Sequence, residues 1–256
     1  MNIKTIAAIL TIASQSLLNA QVSVKVTYEQ QNIYPDNYWE KIPQDFRENT
    51  KKLLTQPITL NLINNGEASL IVSEDQKLNF SSMQENNPDE RNLGINMKLA
   101  EVWTHNDFNT NTTTKKVKLD NKSYYRQSPF DNTTYEFDPT VTKKIDSYQC
   151  NLAYYVSKKS NDTIKYWYAK EIAIADGPYG PSSIPGLILR YENKYRVIYA
   201  TKIEYADSKL EIKPLDNKIP ILSNDEYLQA EAESRKPKNY VDEDGNRIKK
   251  NSITIK

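Results

Sequence analysis

The 256-residue chain has little of several residue types on which common functional sites depend. One Cys and one His leave almost no material for a Cys/His metal site or for a Ser-His-Asp or Cys-His catalytic device. Lys and Arg number 34 against 33 Asp and Glu, which excludes a protein organised around a large basic surface for nucleic acid. The chain also lacks the repeated apolar runs of about 20 residues that multi-pass membrane proteins need. Gly is scarce, at six residues against a usual share of about 7%, so its positions are informative.

Residues 1–20 have the three parts of a secretory signal peptide. Lys4 supplies a positive charge, an apolar run extends from Thr5 to Ser14, and Ala20 is a small residue suited to cleavage. The apolar run is too short for a membrane-spanning helix. A buried first helix is the alternative, but it would carry polar residues at a 3.6-residue period. We therefore expect export, cleavage after Ala20 and no transmembrane segment in the mature chain.

Short alternating segments predict a β-rich domain over residues 21–235. Two of them surround Asn64-Asn65-Gly66, a tight-turn sequence, and predict a hairpin. Apolar and polar residues also alternate over 22–29, 148–156 and 195–205. We expect a mainly β fold, either a single antiparallel, curved sheet or a sandwich or half-barrel, with one or two short helices.

Tyr is abundant, and 13 of the 18 Tyr lie between Tyr124 and Tyr205, where the predicted strands are most frequent. Tyr suits a pleated surface that has one apolar face and a wet edge. A ligand platform is the alternative, but the order of the chain does not group these Tyr with charged or Gly-rich partners. The pattern therefore favours a property of the sheet.

Two helices and two loops are predicted. Residues 43–54 begin with Pro and acids and end with two Lys, in accord with the helix dipole. The second helix begins at Ser223, has Glu226 in place for a capping box, and ends near Arg235. Residues 75–94 and 106–116 are rich in Asn, Ser, Thr and Asp, and we expect long exposed loops there.

Residues 236–256 form a polar C-terminal tail, in which Asp244-Gly245 predicts a hairpin turn. The acidic run from Asp242 to Asn246 lacks the Gly and Glu spacing of a calcium-binding EF-hand loop. We therefore expect neither a metal nor a cofactor.

Half of the Gly and a quarter of the Pro lie in residues 176–189. Three Pro and three Gly in so short a span prevent both a helix and regular strand pairing. An alternating run that carries Trp167 precedes this segment, and Leu187-Ile188-Leu189 begins another run after it. The segment must therefore be a shaped loop between two strands.

Four features in order over residues 145–190 carry a family resemblance. They are Cys150 on one strand, Trp167 on the next, Gly177-Pro178, and then Ser183-Ile184-Pro185-Gly186-Leu187-Ile188. This arrangement resembles the GLPGLI family of secreted bacterial proteins, which is named for Gly-Leu-Pro-Gly-Leu-Ile. The resemblance implies a secreted β-rich protein and no particular activity. Ser183 stands where the motif has its first Gly, which indicates that the backbone there needs no positive φ.

The loop has two interpretations. It is either a rigid recognition loop or a sharp corner that packs Ile184, Leu187 and Leu189 into the core, and the apolar run after Gly186 favours the corner. The candidate binding residues are Trp167, Gly177, Pro178, Ser183, Ile184, Pro185, Gly186, Leu187 and Ile188.

No catalytic residue is predicted. Cys150 shares a strand face with Tyr148 and Leu152, so a buried, inert thiol is favoured over a redox-active one, and an intermolecular disulfide stays open as the alternative. His105 has no accompanying Ser or Cys in a Gly-flanked elbow.

Together these features predict a secreted, envelope-associated, non-enzymatic binding, carrier or accessory protein. Its partner would be an outer-membrane or other envelope protein, or a small apolar ligand held by the curved sheet. We expect it in the periplasm or on the outer surface of a Gram-negative bacterium. The alternative is an extracytoplasmic hydrolase whose carboxylates come from distant strands, which would require two acids about 5 to 10 Å apart.

Overall fold

The structure is a computed structural model that describes residues 23–73, 77–80, 95–98, 101–180, 183–235, 240–241 and 247–248. The predicted signal peptide, residues 1–20, and the predicted turn at Asp244-Gly245 lie outside the described residues. None of the helices in these ranges has the length and apolar character required to cross a membrane.

Alternating sequence segments form strands along most of the described chain. The strands are β1 (Ser23–Asn32), β2 (Ile58–Asn64), β3 (Ala68–Ser73), β4 (Lys77–Phe80), β5 (Ile95–Lys98), β6 (Trp103–Asp107), β7 (Thr112–Leu119), β8 (Lys122–Pro129), β9 (Glu136–Ile145), β10 (Tyr148–Ser157), β11 (Asp162–Ala169), β12 (Leu187–Asn193), β13 (Arg196–Ala206), β14 (Ile221–Ser223), β15 (Tyr240–Val241) and β16 (Arg247–Ile248). The helices are α1 (Asp36–Glu40), α2 (Gln44–Leu54) and α3 (Asn224–Ser234).

Twelve strands form one sheet in the order β14-β8-β7-β6-β3-β2-β1-β13-β12-β11-β10-β9. The chain leaves the central strand β1, runs outward to β8, crosses to the opposite edge at β9 and returns inward to β13. All neighbours are antiparallel except β14 and β8, whose parallel pairing makes the sheet mixed. The prediction of a mainly β fold is confirmed, and its strands form one large sheet that is mixed rather than purely antiparallel.

The connection between β8 and β9 requires the sheet to be strongly curved. These strands are ten positions apart in the sheet order, which corresponds to about 48 Å across a flat sheet at roughly 4.8 Å per strand. The chain from Pro129 to Glu136 advances seven residues, or about 25 Å when fully extended. The two edges must therefore approach each other, and the sheet encloses what we call its inner face.

The inner face of β1 explains why its alternating sequence lies at the centre. Val24, Val26 and Tyr28 are all at most 1% exposed, while Lys25 between them faces solvent. Their partners on β2 include Leu60 and Leu62, which are also buried. Burial of each such side chain contributes about 1.5 to 3 kcal/mol, so this alternation strongly specifies the register.

The hairpin between β2 and β3 is confirmed, with its turn at the predicted residues. Gly66 has φ 82°, which favours Gly. The side-chain oxygen of Asn65 accepts hydrogen bonds from the backbone N–H groups of Glu67 (3.1 Å) and Ala68 (2.9 Å). At the other end of the chain, β15 pairs with β16, as the predicted tail hairpin requires.

Both predicted helices are present, and a third was not predicted. Pro43 precedes α2, and Ser223 with Glu226 forms the predicted capping box of α3. The additional helix, α1, has five residues. It is too short for a periodic apolar pattern to identify it in the sequence.

The prediction of an exposed loop over residues 106–116 is wrong, because most of this segment belongs to β6 and β7. Its polar residues indicated a loop, yet Asn106 is fully buried and Thr114 is 2% exposed. Hydrogen bonding of these side chains within the sheet makes their burial possible. In the other predicted loop, residues 75–94, Lys77–Phe80 forms β4 and pairs with β5.

Candidate functional site

The Pro- and Gly-rich segment turns sharply between β11 and β12. Gly186 has φ 146°, and a side chain there would overlap the carbonyl oxygen of Ala169. Ile184 and Leu187 on either side are fully buried. The preferred interpretation, a corner that packs into the core, agrees with this geometry. Ser183 is exposed and has no positive φ, as its replacement of the motif Gly indicated.

The first half of the same segment presents Tyr179 to solvent. Gly177 packs so closely on β12 that a Cβ atom would lie 2.6 Å from Cβ of Ile188. The N–H of Gly180 donates to the carbonyl of Gly177 (2.9 Å), which closes a tight turn over Pro178 and Tyr179. Tyr179 is 44% exposed at the tip of this turn. The Gly-Pro turn therefore places an aromatic ring at the surface.

A buried carboxyl, Asp176, fixes this turn to the inner face. The side-chain N–H of Asn64 donates to Oδ2 of Asp176 (2.8 Å), and the N–H of Gly177 donates to Oδ1 (2.8 Å). Ser69 is also hydrogen-bonded to this carboxyl. Asp176 is fully buried, and no Lys or Arg among the described residues forms an ion pair with it.

The polar network continues from Ser69 to the sheet surface. Asn106 Nδ2 donates to Ser69 Oγ (2.9 Å), and Thr113 Oγ1 donates to Asn106 Oδ1 (2.8 Å). The network therefore links the shaped loop to β2, β3, β6 and β7. A buried network in which each polar group has a partner rigidifies the structure around it.

Burial raises the pKa of Asp176 above its usual value, against the opposing hydrogen bonds from Ser69, Asn64 and Gly177. Burial also raises the pKa of Tyr28, and the nearby Asp176 carboxyl raises it further. The Tyr28 hydroxyl is protonated and donates to the carbonyl of Ile188 (2.9 Å). Tyr28 therefore stabilises the start of β12, and Asp176 stabilises the shaped loop, through hydrogen bonds rather than through ion pairs.

A cavity of about 450 Å³ lies where the two halves of the curved sheet face each other. One wall contains Tyr155, Tyr166 and Tyr191 from β10, β11 and β12, with Tyr179 from the shaped loop. The opposite wall consists of Thr113, Lys115, Ser128, Pro129 and Asp131. We call this cavity the tyrosine cleft.

The rings of the tyrosine cleft support one another. Tyr179 packs on Tyr191 with ring centroids 4.4 Å apart, and Tyr191 meets Tyr166 edge to face at 5.2 Å. Tyr135 packs edge to face on Tyr155 (5.8 Å) and Tyr166 (5.3 Å). Aromatic contacts of these geometries contribute about 0.5 to 1.5 kcal/mol each beyond burial, so the wall is preformed.

The four tyrosine hydroxyls of the cleft stay protonated at neutral pH. Burial raises the pKa of Tyr155, Tyr166, Tyr179 and Tyr191. A neutral phenol both donates and accepts hydrogen bonds. The cleft therefore offers hydrogen-bonding groups together with aromatic surface.

Charged side chains flank the tyrosine cleft. Partial burial lowers the pKa of Lys115, the neighbouring Arg126 lowers it further, and Asp131 opposes both effects. On the other side, Nη1 of Arg196 donates to the hydroxyl of Tyr179 (3.0 Å). Lys115 and Asp131 therefore line this cavity, and Arg126 and Arg196 lie beside residues of its two walls.

A second cavity of about 460 Å³ shares Asp131 with the tyrosine cleft. Phe108 and Phe130, whose rings meet edge to face at 5.8 Å, contribute to its lining. Ile174 and Ser183 also line this space, which we call the phenylalanine cavity. Ser183 is thus one predicted binding residue that reaches a cavity.

Most of the other predicted binding residues are interior. The buried ones are Trp167, Gly177, Pro178, Ile184, Gly186, Leu187 and Ile188, while Pro185 is exposed. Trp167 pairs with Leu152 and Arg190 across the sheet, and Nζ of Lys143 lies 4.8 Å from its ring centroid. These residues shape the loop and the core that hold the tyrosine cleft, and they do not line it.

Sequence reasoning did not single out Tyr179, although it lies between the two Gly of the Gly-Pro turn. The Tyr enrichment was the one signal for the cleft, and it favoured a property of the sheet. The charged partners absent from the local sequence come from other strands: Lys115 from β7 and Arg196 from β13. Only the curvature of the sheet brings them together.

Neither the single Cys nor the single His lines either cavity. Cys150 is fully buried, and burial together with the charge of Glu171 raises the pKa of its thiol to about 11. A thiol with such a pKa is a poor nucleophile. Burial lowers the pKa of His105, which stacks on Trp103 at 6.2 Å.

Asp131 is the one carboxylate that lines either cavity among the described residues. The pair of acids that glycoside hydrolysis requires is therefore not formed by the described lining. The same part of the chain contains no group of three or more His, Cys, Asp or Glu side chains placed to hold a metal ion.

Comparisons with known proteins establish the fold and no more. No family model and no curated protein matches the chain. Among solved structures, it is similar to PNGF-II in a P21 space group, with a TM-score of 0.50 and 16% identity over 84% of this chain and 34% of that one. PNGF-II in a C2 space group has a TM-score of 0.48 and 18% identity, over 84% and 33%. The chain thus spans about a third of the PNGF-II chains, and the first likeness supports a shared β fold.

Proposed function

We propose that the protein is an exported, envelope-associated, non-enzymatic binding protein that holds a small ligand in the tyrosine cleft. The observation that carries this proposal is the cleft itself. Its volume of about 450 Å³ lies within the roughly 300 to 1,000 Å³ of small-ligand sites. Its aromatic wall is held in place by packing before any ligand arrives, which reduces the entropic cost of binding.

Binding is favoured over hydrolysis by the polar groups in the cleft. Asp131 has no second acid beside it in the described lining, and it accepts hydrogen bonds from the N–H (3.0 Å) and hydroxyl (2.8 Å) of Thr133. A lone, solvent-exposed carboxylate lacks the partner that paired-acid chemistry needs. The hydroxyls and charges also favour an amphipathic ligand in this cleft over a purely apolar one.

The proposed location rests on residues 1–20 and on the resemblance to the GLPGLI family. Both indicate passage through the cytoplasmic membrane by a cleavable signal peptide, to the periplasm or the outer surface of a Gram-negative bacterium. An envelope protein as partner is compatible with the same location. The preformed cleft makes a small ligand the stronger proposal.

A thermal-shift screen of small molecules with the purified protein tests the function. We expect ligands that raise the melting temperature of the wild type and lose this effect in Tyr179→Ala and Tyr191→Ala. Tyr195→Ala is the matched control, because Tyr195 is 52% exposed and lines neither cavity. Ligand effects that survive both cleft substitutions would contradict the proposal. Turnover of a peptide or glycan that disappears in Asp131→Asn would support the hydrolase instead.

A further inference from the structure

The charges around the tyrosine cleft are unequal, and this inequality bears on which ligand it takes. Lys115 lines the cleft and pairs across the sheet with Arg126. Arg196 lies on the other side, against the hydroxyl of Tyr179. Asp131 is the one acid of the described lining. Within the described lining one cation therefore stands against one carboxylate, and the two Arg beside it add positive charge.

Among the described residues, the ammonium group of Lys115 forms no ion pair within 4.0 Å. The guanidinium of Arg126, in contrast, is engaged by Asn224 through Nε (3.0 Å) and lies over the ring of Tyr227. Lys115 is thus the cation of this wall that is available to a ligand. Oδ1 of Asp131 accepts two hydrogen bonds from Thr133, and the charge of this carboxylate also acts on Lys115.

The opposite wall supplies aromatic surface and neutral donors. The ring of Tyr179 is the most exposed of the four and rests on Tyr191. A planar ring stacked there would gain aromatic contact. Hydroxyl donors from this wall would complement an anionic group that faces Lys115, because hydrogen bonds to charged groups are the stronger ones.

We propose that the tyrosine cleft selects small ring-bearing oxyanions, which place the ring against Tyr179 and Tyr191 and the carboxylate or phosphate group near Lys115. This inference rests on the proposed binding function and adds the chemical class of the ligand. Carboxylates and phosphate monoesters share the required chemistry, and the experiment separates them.

Four probes with one phenyl ring each test the proposal by isothermal titration calorimetry: benzoate, phenyl phosphate, benzyl alcohol and benzylamine. We expect one or both anions to bind roughly tenfold or more tightly than benzyl alcohol, and benzylamine to bind most weakly. The stronger of benzoate and phenyl phosphate identifies the anionic group. Added salt should weaken anion binding, because the partly buried Lys115 side chain still reaches solvent, where its charge is screened.

Lys115→Met should weaken binding of the anions by roughly three- to tenfold and leave benzyl alcohol unchanged. Lys118→Met is the matched control, because Lys118 is exposed on the other face of the same strand. Equal affinity for all four probes, preference for benzylamine, no saturable binding at millimolar concentrations, or an equal loss in Lys118→Met would each overturn the proposal. If uncharged ligands from the thermal-shift screen still depend on Tyr179 and Tyr191, the binding function stands and only the choice of anions fails.

Discussion

At the scale of single residues, Asp176 is the carboxyl that joins the shaped loop to the sheet. It is buried without a cation, and its hydrogen bonds to Asn64, Ser69 and Gly177 replace the water it has lost. Removal of a buried group of this kind leaves its partners unsatisfied, which costs about 1 to 3 kcal/mol. Titration of Asp176 should therefore change the stability of the whole loop.

We predict that Asp176→Asn flattens the acid side of the pH-stability profile. Burial raises the pKa of Asp176 in the folded protein, whereas the unfolded chain has a value near 3.9. The folded state therefore binds the proton more tightly, and this stabilisation is complete below about pH 3.9 and is lost as the pH rises through the folded-state pKa. An amide does not titrate, so urea unfolding midpoints measured across this range should lose that decline. A variant whose profile parallels the wild type would contradict the prediction.

Asp138→Asn is a control of opposite sign. Hydrogen bonds from the side chain and backbone of Thr140 lower the pKa of Asp138, which lies on the exposed edge strand β9. Its contribution is present above the unfolded-state pKa and is lost as the pH falls through the folded-state pKa. The amide should therefore remove a rise with pH, whereas Asp176→Asn removes a fall.

The local sequence predicted the backbone of this region better than its contacts. Three Pro and three Gly within residues 176–189 required a shaped loop, and the apolar residues after Gly186 required its burial. The partner of Asp176, in contrast, is Asn64, which is 112 positions away along the chain. No local period or spacing encodes such a contact, so the network and the tyrosine cleft emerged only from the folded sheet.

At the scale of elements, the edge strand β9 is protected against pairing with other chains. Its register with β10 jumps from Thr142 opposite Asn151 to Asp138 opposite Leu152, so residues 139–141 bulge out. Oδ1 of Asp138 accepts hydrogen bonds from the N–H (2.9 Å) and hydroxyl of Thr140, which stabilises the bulge. Pro within the bulge and Lys nearby blunt this edge, as is usual for exposed strands.

At the other edge of the sheet, β14 is followed by α3, whose capping box was predicted from the sequence. Glu226 N–H donates to Oγ of Ser223 (3.2 Å), and Ser223 N–H donates to Oε2 of Glu226 (2.7 Å). We predict that Ser223→Ala lowers the free energy of unfolding by about 1 kcal/mol, because it leaves one helix donor without its partner. Urea unfolding measures this change.

Ser234→Ala is the matched control at the other end of α3. Its hydroxyl donates to the carbonyl of Glu231 (2.8 Å) and caps no backbone N–H group. The change should stay within about 0.5 kcal/mol. An equal loss in both variants would show that the capping box has no special effect on α3.

At the scale of the whole molecule, the two halves of one curved sheet face each other, as the two sheets of a sandwich do. Its halves are built by opposite excursions from β1, and they face each other across a cavity that residues from both halves line. Sequence alternation predicted the strands and the sheet, but it could not choose between a curved sheet and a sandwich. That choice depends on the connection between β8 and β9, whose short length forces the edges together.

Tyr135 is the buried residue of this connection, and it should hold the curvature. It packs edge to face on Tyr155 and Tyr166, so it joins the crossing segment to the half of the sheet that carries the aromatic wall. We predict that Tyr135→Ala lowers the free energy of unfolding by about 3 to 5 kcal/mol, as loss of a large buried aromatic ring does. Because the wall then loses its support, benzoate affinity should fall as well, although Tyr135 does not line the cleft.

Tyr135→Phe keeps the ring and should cost only about 1 kcal/mol for the lost hydroxyl. Urea unfolding measures both losses in free energy. If the loss in Tyr135→Ala is no larger than that in Tyr135→Phe, packing of Tyr135 does not hold the curvature, which must then come from the twist of the strands alone.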